Sequence, residues 1–252
     1  LPYRFLGSKR AATPLDFVPP QLRDNDQVDI AEAIFGYVRR NKRNQEQAMA
    51  GRVFVHDAQL MENQSDIWYS EDPINPRILA SPKPTTFQHY LVQPSAVRPE
   101  LKHYASIPEK DTVIRGHKLY WHKGDQPDIG LPADQQQIKD TQKTLIRPVR
   151  AGVSFSFDIR FENLSTVELG AVLWVLRIAA DERYRLKLGM GKPLGMGAVH
   201  ITPQVFLNNR KQRYTSLFDG ESWATGDQAE LAPDAQAAYV RAFEDYVLTE
   251  SK

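Results

Sequence analysis

The segment from Val153 to Leu207 constrains this chain more than any other. Val153, Phe155, Phe157, Ile159 and Phe161 alternate with Ser154, Ser156, Asp158 and Arg160. A period of two with one apolar face predicts a strand. A helix start follows at once. Ser165 and Glu168 have the spacing of a capping box, and Leu164 and Leu169 occupy the positions of a hydrophobic staple. Leu169, Val172, Leu173 and Leu176 recur at helical spacing, so the helix is predicted to fade near Asp181. Next, LGMGKPLGMG from Leu188 to Gly197 holds four glycines and Pro193 in ten residues, which excludes regular helix. A second strand is expected after it, with Val199 and Ile201 on one face and His200 and Thr202 on the other. Strand, capped helix, glycine loop and strand make half of a ferredoxin-like or RRM-like sandwich. A helix on one face of a sheet is the simplest way to bury both apolar surfaces. The predicted class is α+β.

The flanking sequence extends this pattern. Val28 to Val38 is predicted as a short helix around Ile30, Ile34 and Phe35, followed by a basic turn, RRNKR, from Arg39 to Arg43. Gly51 to Ala58 is predicted as a strand. Residues Gln59 to Arg150 differ in character. Pro73, Pro76, Pro82, Pro84, Pro94, Pro99 and Pro108 punctuate them, and only short strand-like pieces such as Leu119 to Lys123 appear. This stretch is expected to be an insertion projecting from a single domain spanning 1–252. Long irregular insertions in compact domains are usually functional or disordered. Asn208 to Arg213 is expected to be a basic turn at a hairpin tip. Pro233 is expected to begin a helix with Tyr239, Phe243 and Val247 on one face.

Composition removes several chemistries. There is no cysteine, which excludes disulfides, thiol nucleophiles and cysteine-rich zinc sites and fits a reducing cytoplasm. No run of about 18 apolar residues marks a membrane helix, and no charged-then-apolar leader opens the sequence. The net charge is +1, so any attraction for a polyanion has to be local.

Two segments carry such local chemistry. In the glycine loop, Gly189, Gly191, Gly195 and Gly197 let backbone approach a ligand closely, and arrayed amides can cradle phosphate. Lys192 adds a charge, and Arg183, Arg185 and Lys187 precede it. A purely structural crossover accounts for the glycines equally well. The loop is neither a Walker loop nor a dinucleotide fingerprint, because no Gly-Lys-Ser/Thr closes it and a helix precedes it. The second segment, RGHKLYWHK, interleaves Arg115, His117, Lys118, His122 and Lys123 with Tyr120 and Trp121. Cations for phosphate and rings for bases are the combination that single-stranded RNA needs. An amphipathic hairpin with an exposed basic face is the alternative. Lys9, Arg10, Arg39, Arg40, Lys42 and Arg43 are first of all solvated surface. His56-Asp57 has the form of a base and its orienter, while His89, His103, His117 and His122 are scattered. No HExxH spacing and no G-x-S-x-G elbow occurs. The reading therefore favours a non-catalytic chain, with Asp57 as a cap or turn residue.

The stretch GVSFSFDIRFENLSTVELGAVLWVL with ERYRLKLGMGKPLGMGAVHI resembles the C-terminal half of CRISPR-associated RAMP-superfamily proteins. It is most similar to backbone subunits of type III effector complexes and to segments of single-chain giant RAMP effectors. IFGYV with AGRVFVHDA, ASPKPTTFQHYL and GHKLYWHK resemble further elements in the same order, from about Ala31 to about Thr202. The resemblance implies a ferredoxin-like fold with an inserted β-hairpin thumb, here within 59–150. It implies polymerisation along a CRISPR guide RNA that pairs with target RNA, beside other CRISPR-associated subunits and away from membranes. The protein would then read shape and phosphate while base pairing reads sequence. Implied RNA contacts are Arg115, His117, Lys118, Trp121, Lys123, Arg183, Gly189, Gly191, Lys192, Gly195 and Gly197. Cleaving relatives carry a catalytic Asp after the first strand and a motif I-P-G-S-S-x-[KR]-G; neither is found, and the chain is expected to start downstream of both. No cofactor is expected. Mg²⁺ would enter only under the alternative reading, a RAMP endoribonuclease acting on target RNA or guide precursor.

Overall fold

The computed structural model describes residues 27–40, 44–79, 81, 86–94, 101–104, 113–116, 118–124, 129–132, 141, 143–208, 210–216, 218–220, 222–223 and 230–250. His117, Lys9, Arg10, Lys42, Arg43, Pro82, Pro84, Pro99 and Pro108 lie outside the described residues.

The first helix, α1 (Ile30–Phe35), opens with a capping box. Asp29 accepts from the Glu32 amide at 2.8 Å, and the Glu32 carboxylate accepts from the Asp29 amide at 3.3 Å. It is shorter than the predicted Val28–Val38 because Gly36 turns the chain at φ 77°. Only glycine fits there, since a Cβ would lie 2.6 Å from the Gly51 amide nitrogen. The chain then forms β1 (Tyr37–Arg40), antiparallel to β2 (Glu46–Met49). Arg39 and Arg40, predicted in a turn, therefore sit on a strand. Arg39 stacks on the Tyr37 ring at 4.4 Å and pairs with Glu32 at 3.2 Å.

The predicted strand over Val153–Phe161 is present but broken. β3 (Val53–Val55) pairs with β6 (Ile159–Phe161), and β4 (Gln59–Leu60) pairs with β5 (Phe155–Ser156). Between these ladders His56, Asp57 and Ala58 oppose only Phe157 and Asp158, which is a one-residue bulge. The His56 amide still donates to Asp158 O at 3.0 Å, and the Met61 amide to Ser154 O at 3.2 Å. Toward the bulge and beyond it Phe157 and Phe155 are exposed, while Phe161 packs on the core.

That core is built on α2 (Thr166–Ile178), whose Ser165–Glu168 capping box forms as predicted. It packs against α4 (Pro233–Glu250), which begins at Pro233 as expected. Gly170 permits the close approach, because a Cβ there would collide with the Tyr239 carbonyl. The Trp174 and Phe243 rings meet edge-on at 6.0 Å. Leu169, Leu173 and Val205 form the buried cluster, surrounded by Phe161, Leu164, Leu207, Leu231, Tyr239 and Val240. Val247 lies beyond this cluster and is exposed.

One arginine ties the elements together. Arg52 donates to Ala33 O through Nε at 3.1 Å and Nη2 at 2.8 Å, and to Asn163 O through Nη1 at 2.6 Å. It also ion-pairs with Glu168. The end of α1, β3 and the start of α2 are thereby joined. Burial pushes the Glu168 carboxyl up, but hydrogen bonds from Arg52 and from the Ser165 backbone and hydroxyl outweigh it, and the net shift is downward.

The expected second strand is β8 (Ala198–Val199), ending before Ile201. Its partner is β7 (Leu186–Lys187), immediately upstream, so the glycine loop is a hairpin tip. Among the described residues the named strands pair as two-stranded ladders. Helices and strands together make the chain α+β. The predicted hairpin tip at Asn208–Arg213 is corrected: Arg210–Thr215 is a helix, α3, and the hairpin follows it as β9 (Phe218–Asp219) and β10 (Ser222–Trp223). The run RKQRYT holds no proline or glycine, so nothing in it stops a helical turn.

The two ends of 59–150 run side by side. Antiparallel bridges Trp68–Val149, Ile74–Ile146 and Pro76–Gly130 continue the β4–β5 ladder outward, and Leu91–Ile114 lies further in sequence. Leu119–Lys123, predicted strand-like, has no ladder partner among the described residues. No helix among the described residues is long and apolar enough to cross a membrane.

Candidate nucleic-acid interface

The site is assembled at the C-terminal end of α2. Arg185 follows a short turn, Glu182–Tyr184, and its Nη1 donates to Ala179 O at 2.8 Å and Ala180 O at 3.1 Å. A cation there satisfies open carbonyls and meets the negative end of the helix dipole. The chain then enters the β7–β8 hairpin.

All four loop glycines take positive φ: 77° at Gly189, 70° at Gly191, 92° at Gly195 and 73° at Gly197. Two of them are needed for close approach. A Cβ on Gly197 would collide with the Leu188 carbonyl, and one on Gly195 would sit 2.8 Å from the Lys123 Cβ. Lys192–Leu194 form one 3₁₀ turn with the Leu194 side chain buried beneath it. Two lysines brace the loop from within. Lys187 Nζ donates to Gly195 O at 2.8 Å, and Lys192 Nζ donates to Gly189 O at 2.9 Å. Burial pulls the Lys187 ammonium below its usual range. The Leu194, Gly195 and Met196 amides bond within the loop. Those of Gly189, Met190 and Gly191 make no hydrogen bond among the described residues. Successive open amides of this kind suit an anion.

The aromatic-cationic segment meets this hairpin. His122 Nε2 accepts from the Arg185 amide at 3.0 Å, across 63 residues of sequence. Lys123 lies against Gly195, on the side where a Cβ would be. Residues 118–124 thus form a strap that meets the glycine hairpin through His122 and Lys123. Because Nε2 accepts, the proton of the neutral ring resides on Nδ1, which is buried and has no hydrogen-bond partner among the described residues. Trp121, one residue from the latch, is 76% exposed. Lys118 lies over the Tyr120 ring at 5.1 Å.

The predicted site residues divide accordingly. Trp121, Lys123, Gly189, Gly191, Lys192, Gly195 and Gly197 belong to the strap and hairpin. Lys118 lies at the strap's start. The Arg115 amide bonds Tyr90 O at 2.9 Å beside the Leu91–Ile114 bridge. Arg183 is close in sequence but engaged, donating from Nη2 to Asp181 at 2.7 Å. Hydrogen bonds from the Arg183 side chain and backbone hold the Asp181 carboxyl down at about 2. His117 lies outside the described residues. The His56–Asp57 pair is exposed at the bulge, and no hydrogen bond joins the two side chains. By sequence alone Arg185 and Lys187 are two more cations before the loop. Their role as struts depends on carbonyls that no spacing rule indicates.

The arrangement can hold phosphate on backbone amides and lysine charge and can offer the Trp121 ring to a base. No protein-family model and no curated protein matches the chain.

Proposed function

We propose that this chain is a guide-RNA-holding backbone subunit of a type III-like CRISPR effector, a RAMP-superfamily protein of ferredoxin-like topology working in the cytoplasm. It would present guide RNA for pairing with target RNA, next to other CRISPR-associated subunits. One observation carries the reading. The two segments chosen for RNA-type chemistry, far apart in sequence, meet through His122–Arg185 and Lys123–Gly195. The antiparallel ends of 59–150 suit a projecting thumb. Open amides at Gly189–Gly191 and the lysines recognise backbone and not sequence, which is what a guide-holding protein requires.

The test is co-expression with neighbouring genes and a CRISPR array, then purification and sequencing of bound RNA. Repeat-derived guides of discrete length in a complex with other subunits are expected. A clean RNA-free chain would overturn the reading. Labelled RNA incubated with Mg²⁺ and with EDTA tests cleavage in the same preparation; intact RNA is expected in both.

A further inference from the structure

We propose that α3 and the β9–β10 hairpin form a second platform for single-stranded nucleic acid, on which unpaired bases stack on Phe218, Trp223 and Tyr214 while α3 cations meet phosphate. Phe218 and Trp223 stand directly opposite each other on the ladder, with ring centroids 4.8 Å apart at 35°. Gly220, at φ 63°, closes the tight turn between them. Such a pair is held by the hairpin's own register, yet it covers little of itself: Phe218 is 53% and Trp223 67% exposed. Tyr214, at the end of α3, is 78% exposed.

Two cations, Arg210 and Lys211, lie on α3, just upstream of the hairpin in the chain. Arg210 and Lys211 precede Tyr214 by four and three positions, so all three lie on one helix face. Neither cation's side chain has a hydrogen bond or ion pair among the described residues. Arg39, Arg52, Arg150, Arg183 and Arg185, by contrast, each have a carboxylate partner. An exposed ring pair alone would suit a protein partner equally. Unpaired cations beside an exposed ring favour a polyanion whose bases have π-faces.

The platform shares no residue with the strap and glycine hairpin, so the two stand or fall separately. The experiment uses the full chain with labelled oligo(U) and a mixed-sequence RNA of equal length, read by equilibrium binding and by ultraviolet crosslink mapping. Crosslinks are expected at Tyr214, Phe218 or Trp223. The double variant Phe218→Leu/Trp223→Leu, which keeps apolar side chains on the strands, is expected to weaken both RNAs by about five- to a hundred-fold. Tyr214→Leu, on an exposed helix face, checks the same effect without touching the hairpin. Arg210→Glu/Lys211→Glu is expected to lower the salt slope by about 1.4. Unchanged affinity in all three variants, or crosslinks confined to 118–124 and 186–199, overturns the platform and leaves the proposed function intact. Rings that become protected only by a protein subunit, with RNA affinity unchanged, overturn it as well.

Discussion

The α2–α4 core and the 59–150 insertion solve the same problem differently. In the core, side chains carry the structure: Leu169, Leu173 and Val205 are buried, and Gly170 lets two helices approach to backbone contact. In the insertion, pairing of the main chain dominates. Isolated bridges link its two ends, and glutamines imitate missing strands. Gln64 bonds both the amide and the carbonyl of Ser154, at 2.7 and 2.8 Å, and Gln93 does the same to Lys102 at 2.8 and 3.0 Å. Among the described residues there, Leu91, Ile129 and Pro148 are buried. A packed core resists local opening, whereas a ribbon with few buried contacts opens at low cost. The candidate interface lies where the two kinds of construction touch, with the strap from the insertion resting on a hairpin rooted in the core.

The largest expected effect is Leu173→Ala, which should remove about 2–5 kcal/mol of global stability. Leu91→Ala is expected to lose comparable local packing, but hydrogen exchange should rise only within 59–150 while the main unfolding transition stays in place. A matching global loss would show that the insertion and core are one cooperative unit.

Next, Arg52→Ala should cost about 2–3 kcal/mol, since it removes the pair with Glu168 and leaves the Ala33 and Asn163 carbonyls without their donor. The same network has a pH signature. The folded Glu168 carboxyl is held below its unfolded value, so its contribution is complete above the unfolded value of about 4.3 and is lost as pH falls through the lower folded value. Glu168→Gln should flatten that acid limb in chemical denaturation at a series of pH values.

Smaller effects sharpen the contact between the two regions. Gly195→Val, at φ 92° and against Lys123, is expected to push the strap off the hairpin, read as a change in Trp121 fluorescence and weaker RNA binding with little change in melting temperature. Asp181→Asn should free Arg183, tighten RNA binding slightly and steepen the salt dependence by about 0.7. A strap that stays docked in the first variant, or an unaltered slope in the second, would separate the core hairpin from the insertion as binding elements.

Much of the core was legible in the sequence because its signals are local. Ser165–Glu168, Leu164 and the helical leucines predict α2, and Pro233 predicts the start of α4. The break in the Val153–Phe161 strand was not legible, because the extra residue sits in the partner strand at His56–Ala58. The α1 boundary was missed because Gly36, a single residue, outweighed the apolar spacing through Val38. For the site, glycines and interleaved cations marked both segments, but not their meeting. The His122–Arg185 bond joins residues of no characteristic spacing, and the Asp181–Arg183 pair shows that a cation near the loop in sequence is not thereby available to a ligand.

The central claim is that strap and glycine hairpin form one phosphate-binding surface. It is tested most directly by the salt dependence of single-stranded RNA binding to the wild type and to Lys123→Glu/Lys192→Glu. The account predicts a slope lowered by about 1.4 and a loss of affinity equal for all RNA sequences. An unchanged slope and affinity, with the variant folded as the wild type, would contradict it.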